Sequence, residues 1–180
     1  MSGPKINAII ERMDRRELFL CRYFNRVCHH RRWHRTFVVV SRLGDGVIWY
    51  SLMLALLIIY RSEAVRAVLH MGVVGTTGLI IYKSLKTTLV RQRPFTIGGD
   101  IVLGTAPLDK YSFPSGHTLH AVGFSIVAIS YFPLLIWILL PFTFLIALSR
   151  VVLGLHYPTD VLAGATIGAT LAFGSIILLY

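Results

Sequence analysis

Long apolar runs dominate the chain after residue 46, and they constrain its fold more than any other feature. These runs cover about residues 47–60, 67–90, 115–131, 133–152 and 158–180. With 55% hydrophobic and only 14% charged residues among 180, the chain carries more apolar surface than a soluble domain of this size can bury. We therefore predict one all-α domain over residues 1–180, a multi-span transmembrane helix bundle with about five spans.

The first apolar run is too short to cross a bilayer alone, since a crossing takes roughly 20 residues. The apolar residues 37–40 precede it, separated by the glycine-rich segment Ser41-Arg42-Leu43-Gly44-Asp45-Gly46. Because glycine permits a sharp backbone bend, we expect residues 37–40 to complete the first span through a bend at this segment.

The first 45 residues form a basic front segment. They hold ten of the chain's 18 lysines and arginines, and apolar residues alternate with arginines between about residues 6 and 35. This pattern is typical of an N-terminal amphipathic surface helix, whose arginines attract anionic lipid headgroups. A solvated segment that sets the orientation of the spans explains the charge equally well. Nucleic-acid binding is not expected, because no reader motif accompanies the charge.

Three short polar motifs interrupt the apolar part of the chain. They are Lys86 with Arg93-Pro94, then Pro114-Ser115-Gly116-His117, then Ser149-Arg150 followed by His156 and Asp160. Each motif falls at the end or the start of a predicted span. Because successive spans alternate in direction, all three motifs reach the same face of the membrane. We therefore expect them to form one site within residues 83–165.

The cations of these motifs suit a phosphoryl group. Arg93 and Arg150 present fork-shaped donors for bidentate contact with phosphate, and Lys86 adds a point charge. Ser115 and Gly116 stand at a predicted helix N-terminus, where free N–H groups and the helix dipole favour an anion. Phosphoryl transfer is catalysed largely by positioning and charge stabilisation. We therefore predict that these five residues bind phosphate.

Two histidines and an aspartate supply the predicted catalytic groups. His156 and Asp160 are four residues apart, a spacing that brings side chains together on a helix. A carboxylate at one ring nitrogen fixes the tautomer and leaves the other nitrogen free to act. His156 is therefore the candidate nucleophile. His117 has no acidic neighbour in sequence, and it is the candidate general acid for the leaving oxygen.

Neither a metal ion nor another cofactor is expected. The chain has only eight acidic residues, and Asp160 is the only one within the three motifs, whereas magnesium favours several carboxylates. His30 and His34 have the helical spacing of a zinc pair, but no third ligand is evident in the sequence.

At these motifs the sequence resembles the type 2 phosphatidic acid phosphatase superfamily. All positions of the superfamily signature match, over about residues 83–165. The resemblance implies that His156 becomes phosphorylated, that Asp160 supports it and that His117 protonates the leaving group. It also implies phosphate binding by Lys86, Arg93, Ser115, Gly116 and Arg150. A metal-free reaction on lipid phosphates or pyrophosphates is implied as well.

Two features indicate which branch of the superfamily the sequence resembles. Many membrane members have six spans, and residues 41–46 are similar to the stretch that precedes the second span of six-span bacterial members. We therefore expect the first of the six spans to be absent. The superfamily also includes soluble vanadium haloperoxidases, but the apolar runs indicate the membrane lipid phosphatase branch.

The sequence thus predicts an integral-membrane phosphatase that hydrolyses a lipid phosphate or pyrophosphate through a phosphohistidine intermediate. Substrates of the undecaprenyl pyrophosphate, phosphatidylglycerol phosphate, phosphatidic acid and lipid A types all stay open. The alternatives are a lipid phosphotransferase that uses the same site, and a non-catalytic lipid-binding or transport protein. The predicted location is the cell inner membrane. Bacterial relatives of this kind commonly act on the periplasmic face, and we therefore expect a periplasmic site. The positive-inside rule favours a cytoplasmic site instead.

Overall fold

The computed structural model describes residues 16–179, and within them the chain is helical and forms no strand. Helix α1 covers residues 16–25. The helices that follow are α2 (Arg31–Arg42), α3 (Ile48–Tyr60), α4 (Ser62–Leu89), the short α5 (Pro94–Ile97), α6 (Gly116–Tyr131), α7 (Ile136–Val152) and α8 (Pro158–Leu179). The predicted all-α architecture is confirmed.

Four helical stretches within residues 16–179 are long and apolar enough to cross a membrane. They are Arg31–Tyr60, Ser62–Ile97, Pro133–Val152 and Pro158–Leu179. The predicted span at 115–131 corresponds to α6, which has 16 residues. At about 1.5 Å per residue it is shorter than a hydrocarbon core of about 30 Å. It packs against α4, α7 and α8. The bundle thus has four spans by length, with α6 as a fifth, shorter helix inside it.

The first span is bent, as its glycines predict. α2 and α3 are joined by a π-helical turn at Leu43–Val47, inside which Gly46 has φ 130° and ψ −30°. A residue with a Cβ is strained at this positive φ. Gly44 is buried, and a Cβ built there would stand 3.3 Å from the Ile146 side chain. The bend thus brings the backbone against α7 and turns Asp45 toward the interior cavity.

Close packing of α6 on α8 fixes the start of both helices. A Cβ at Gly164 would collide with the carbonyl oxygen of Ser115, and one at Gly168 with the carbonyl oxygen of Leu119. Only glycine permits this backbone approach. The start of α6 is tied to α8 by a hydrogen bond from the Ser115 N–H to the Asp160 carbonyl, at 3.0 Å. The second and third polar motifs are therefore held together by the backbone.

The front segment is not one continuous helix to residue 35. α1 passes into a 3₁₀ turn at Arg26–His29, the backbone extends at His30, and α2 begins at Arg31. The part of the predicted surface helix before residue 16 lies outside the described residues. α1 buries Leu18 and Cys21 against the bundle and exposes the apolar Phe19, Leu20 and Tyr23. It is thus a surface helix that packs on the bundle.

Asn25 anchors the end of α1 to two other segments of the chain. Its side-chain amide donates to the carbonyl oxygens of Val102 and Val152, both at 2.9 Å, and accepts from the Val102 N–H at 2.8 Å. The end of α1 therefore lies beside the loop between α5 and α6. An ion pair of 2.8 Å between Arg22 and Asp100 joins the same two parts.

Candidate active site

The three polar motifs meet at one end of a cavity of about 350 Å³. α4 ends there, α6 begins there, α7 ends there and α8 begins just behind. The predicted residues that line the cavity are Lys86, Arg93, Gly116, His117, Arg150 and His156. The structure thus brings the motifs together at one end of the bundle, as their places in the sequence predict.

Two of the predicted phosphate-binding cations share one carboxylate. The Lys86 ammonium donates to Asp109 Oδ1 at 2.5 Å, and Arg93 Nη2 donates to the same oxygen at 2.6 Å. Both cations are buried, with 8% and 2% of their side chains exposed. Asp109 lies in the loop between α5 and α6, so it compensates two cations that come from another part of the chain.

The charge of these cations dominates the ionisation of Asp109. Burial alone would raise the pKa of its carboxyl group, but the hydrogen bonds and charges of Lys86 and Arg93 outweigh burial and lower that pKa. Asp109 is therefore an anion at neutral pH. It occupies donors that also suit a phosphate oxygen.

Arg150 enters the cavity from the last turn of α7. Its side chain is buried, and Nη1 donates a short hydrogen bond to the Ser41 hydroxyl, which lies just before the bend. Nε is buried without a hydrogen-bond partner among the residues that the structure describes. A buried donor without a partner is costly unless a ligand supplies the acceptor. Arg150 thus has capacity left for an anion.

His156 lies between α7 and α8 with its two ring nitrogens in different surroundings. Nε2 faces Arg93 Nη1 at 3.3 Å, and an acceptor role for Nε2 requires the tautomer protonated at Nδ1. Nδ1 faces Asp160 Oδ2 at 3.6 Å, longer than a hydrogen bond. Burial, and then the charges of Arg93 and Arg150, keep the pKa of His156 well below the usual histidine value. The ring is therefore neutral, with a lone pair directed toward the cations.

His117 has an acidic partner that is far away in sequence. Its Nε2 makes a short contact with Asp45 Oδ1 from the bend between α2 and α3. Both residues line the cavity. A carboxylate that faces one ring nitrogen orients the imidazole and fixes its tautomer. The two histidines are thus each faced by a different aspartate.

Ser115 and Gly116 differ in their position relative to the cavity. Ser115 is the N-cap of α6, fully buried, and its hydroxyl lies 3.0 Å from the Thr118 hydroxyl. It does not line the cavity, whereas Gly116 does. The N–H groups of Gly116 and His117 begin the helix and have no intrahelical acceptor by position. These two amides can bind an anion, whereas Ser115 fixes the turn that presents them.

Sequence reasoning missed four charged residues at or behind this site: Glu17, Asp45, Arg91 and Asp109. Asp160 is the only carboxylate within the three motifs, but folding brings two more, Asp45 and Asp109, to the cavity from distant segments. Each buried cation needs a counter-charge, which indicates that acidic partners exist but not which residues they are. Within residues 16–179, histidine, cysteine and acidic side chains form no group of three that could bind a metal ion.

The other half of the cavity is apolar and lies between α3, α4 and α6. Trp49, Met53, Leu79 and Phe124 line it, and Gly72 and Gly75 leave room beside them. Tyr50, at the edge, is 73% exposed. The cavity therefore joins a polar, cationic end to a mostly apolar region that has the exposed Tyr50 in its wall.

The model of the PAP2 superfamily matches residues 66–180, which include all three motifs. The chain is 30% identical over 141 residues to an undecaprenyl-diphosphatase of Sulfolobus acidocaldarius, over 77% of this chain and 67% of that protein. It is 30% identical over 129 residues to the undecaprenyl-diphosphatase BcrC of Bacillus subtilis, over 71% of this chain and 66% of that protein. The matches thus span about two thirds of both relatives.

Solved structures share the fold. The crystal structure of Aquifex aeolicus LpxE superposes with a TM-score of 0.72 and 28% identity, over 89% of this chain and 94% of that one. A transmembrane PAP2-type phosphatidylglycerolphosphate phosphatase of Bacillus subtilis gives a TM-score of 0.69 and 23% identity, over 98% and 87%. The second likeness is one of fold alone.

Proposed function

The chain belongs to the PAP2 superfamily, in its membrane lipid phosphatase branch, and on that premise we propose that it hydrolyses a lipid pyrophosphate or monophosphate through a phosphohistidine. The observation that carries the proposal is the cavity itself. Its polar end gathers three cations and two histidines, and its other end is mostly apolar. A lipid phosphate has the same two-part chemistry.

The first step is attack by His156 on phosphorus. Nε2, whose lone pair faces the cations, forms an N–P bond while the bond to the leaving oxygen breaks. His117 donates a proton to that oxygen, so the product leaves as a lipid alcohol or a lipid monophosphate. Lys86, Arg93 and Arg150 compensate the charge on the equatorial phosphoryl oxygens.

The second step is hydrolysis of the phosphohistidine. Water attacks phosphorus, the N–P bond breaks and His156 regains its lone pair. His117, which has lost its proton in the first step, accepts a proton from the attacking water. Inorganic phosphate is released. No step needs a metal ion, because the protein's own cations compensate the phosphoryl charge.

The lipid tail approaches from the side of the bundle. The apolar half of the cavity is lined by side chains of α3, α4 and α6, and these contacts are generic enough to accept a polyprenyl or an acyl chain. Two relatives carry the name undecaprenyl-diphosphatase, so undecaprenyl pyrophosphate is the first substrate to test. The enzyme would act in the inner membrane of a cell, with the site on the periplasmic face.

The function is tested by phosphate release from purified protein in detergent with EDTA present. The substrates are undecaprenyl pyrophosphate, phosphatidylglycerol phosphate, phosphatidic acid and a lipid A phosphate. We expect release from at least one of them, inhibition by vanadate, and none in the folded variant His156→Ala. Release that begins only after an acceptor lipid is added would indicate a phosphotransferase. Binding without release from any substrate would indicate a non-catalytic lipid protein, and strict dependence on magnesium would contradict the metal-free reaction.

A further inference from the structure

Glu17 of α1 lies at the first turn of α8. Its carboxylate accepts from the Thr159 backbone N–H at 3.1 Å, and both of its oxygens lie 2.8 Å from the Thr159 hydroxyl. The residue is only 8% exposed. The first N–H groups of a helix lack intrahelical acceptors, and the positive end of the helix dipole favours an anion there. Glu17 thus supplies, from a distant segment, a cap for the helix that carries Asp160.

Arg91 joins Glu17 to the site. Nη2 lies 3.4 Å from Glu17 Oε1, and Nη1 donates to the Thr159 hydroxyl at 2.7 Å and to Asp160 Oδ1 at 2.6 Å. The guanidinium also lies over the Tyr157 ring, 3.9 Å from its centroid. Its side chain is 7% exposed. Arg91 does not line the cavity, so its place behind the site is distinct from that of the three cavity cations.

Asp160 is the point where this chain of contacts reaches His156. It is fully buried. Oδ1 accepts from Arg91, while Oδ2 accepts from the Tyr157 N–H at 2.9 Å and faces His156 Nδ1. A carboxylate group is planar, so fixing Oδ1 fixes the direction in which Oδ2 points. The orientation of the Asp160 carboxylate therefore depends on Arg91.

From this arrangement we infer that Glu17 and Arg91 are positioning residues that orient Asp160 toward His156, which makes α1 part of the active-site structure. The inference rests on the proposed function, in which His156 is the nucleophile. Glu17 holds Arg91, and Arg91 holds Oδ1 of Asp160. The negative charge of Oδ2, 3.6 Å from Nδ1, then favours the tautomer of His156 that is protonated at Nδ1. The nitrogen that attacks phosphorus is thereby kept unprotonated.

Removing the charge of Glu17 separates this role from simple packing. Glu17→Gln keeps an oxygen acceptor for Thr159 and nearly the same volume, but it removes the anion that faces Arg91. The phosphate-binding residues Lys86 and Arg93 are untouched, so KM should stay within about twofold. A misplaced catalytic group can cost up to about 10²-fold in rate, and we expect kcat to fall at least about tenfold.

The matched control is Glu63→Gln. Glu63 is exposed in the first turn of α4, at the opposite end of the bundle. It should leave kcat, KM and the unfolding temperature unchanged. In Glu17→Gln, a lowered unfolding temperature with an unchanged kcat per folded molecule would assign Glu17 to packing and overturn the inference. Arg91→Lys, which keeps the charge but loses the fork, should lower kcat with the same unchanged KM.

A readout that does not depend on turnover separates this inference from the proposed function. The ring ¹⁵N shifts of His156, assigned by their loss in His156→Ala, report its tautomer. We expect a fixed Nδ1–H tautomer in the wild type and a mixture in Glu17→Gln. An identical tautomer in both proteins overturns the positioning role, whether or not the wild type releases phosphate. A tautomer change in Glu17→Gln, together with a wild type that releases no phosphate, would instead overturn the proposed function.

Discussion

Among single residues, Asp109 most directly affects how the site receives an anion. Its carboxylate holds the buried Lys86 and Arg93 at 2.5 and 2.6 Å, and a phosphate that binds these donors must take its place. The carboxylate itself is 35% exposed, so it can turn outward into solvent. Asp109 therefore compensates the cations of the empty site and competes with the phosphate of the substrate.

Asp109→Asn tests this competition. Without the competing charge, Lys86 and Arg93 are free to bind an anion in a larger fraction of the molecules. The inhibition constant of vanadate should therefore fall about three- to tenfold. The measurement is inhibition of phosphate release over a range of vanadate concentrations. The control Asp100→Asn removes an exposed carboxylate of the same loop and should leave the inhibition constant of vanadate unchanged. Weaker vanadate inhibition in Asp109→Asn would show that Asp109 orients the cations instead.

The role of His117 as general acid predicts a dependence on the leaving group. His117→Ala should lower kcat for a lipid phosphate by about 10³-fold, within the usual range for a general acid. With an aryl phosphate, whose leaving group needs no proton, the rate should fall much less, because departure of that group does not require His117. The measurement compares the rate at which the leaving group is released within a single turnover, for both substrates in the two proteins, because the second step is common to both substrates and also uses His117. Equal losses on both substrates would assign His117 to binding.

Among the elements, the contact of α6 with α8 sets the geometry of the site. Gly164 and Gly168 let the backbones meet, and the hydrogen bond from Ser115 to Asp160 joins the two helix starts. The motif that carries His117 is therefore positioned by the helix that carries Asp160.

Gly168→Ala tests this contact. A Cβ there meets the Leu119 carbonyl, and overpacking of this kind should lower the free energy of unfolding by about 1–3 kcal/mol. Thermal unfolding in detergent measures the loss. Gly174→Ala lies in the same helix, where a Cβ meets nothing within 4 Å, and it should unfold like the wild type. If the two variants unfold alike, close packing at Gly168 is not what holds the helices together.

The sequence predicted the elements better than it predicted their partners. Span ends, the bend at Gly46 and the meeting of three motifs follow from apolar runs and from glycine. Asp45, Asp109 and Glu17 could not be placed, because each reaches its partner across more than 20 residues of intervening chain. The kink at His30 was also missed, since a helical pattern of charges continues through it.

For the whole molecule, the orientation of the bundle decides which face of the membrane the site occupies. Within the described residues, α1 of the basic front segment lies at the same end of the bundle as the site, as the ion pair of Arg22 with Asp100 shows. The positive-inside rule places such an end in the cytoplasm. The cations within the site serve phosphate binding in our proposal, and they therefore carry less weight in that rule.

Cysteine labelling in intact cells resolves the orientation. Ala106→Cys places a thiol at an exposed position of the loop between α5 and α6, and Ser62→Cys places one at the opposite end. With a periplasmic site, an impermeant maleimide should label position 106 and spare position 62 until the cells are lysed. The native Cys21 is buried, and burial raises the pKa of Cys28 to about 11, so both should react slowly. The reverse labelling pattern would place the site in the cytoplasm.

The central claim for the molecule is that the phosphoryl group passes through His156, and trapping the intermediate tests it most directly. The wild type is mixed with undecaprenyl pyrophosphate labelled with ³²P in its terminal phosphate, in EDTA, and quenched with alkali within a single turnover. We predict a protein-bound label that is stable to alkali and lost in acid, as expected of an N–P bond, and absent from His156→Ala. Phosphate release by the wild type without any such label, or equal labelling of His156→Ala, would contradict the account.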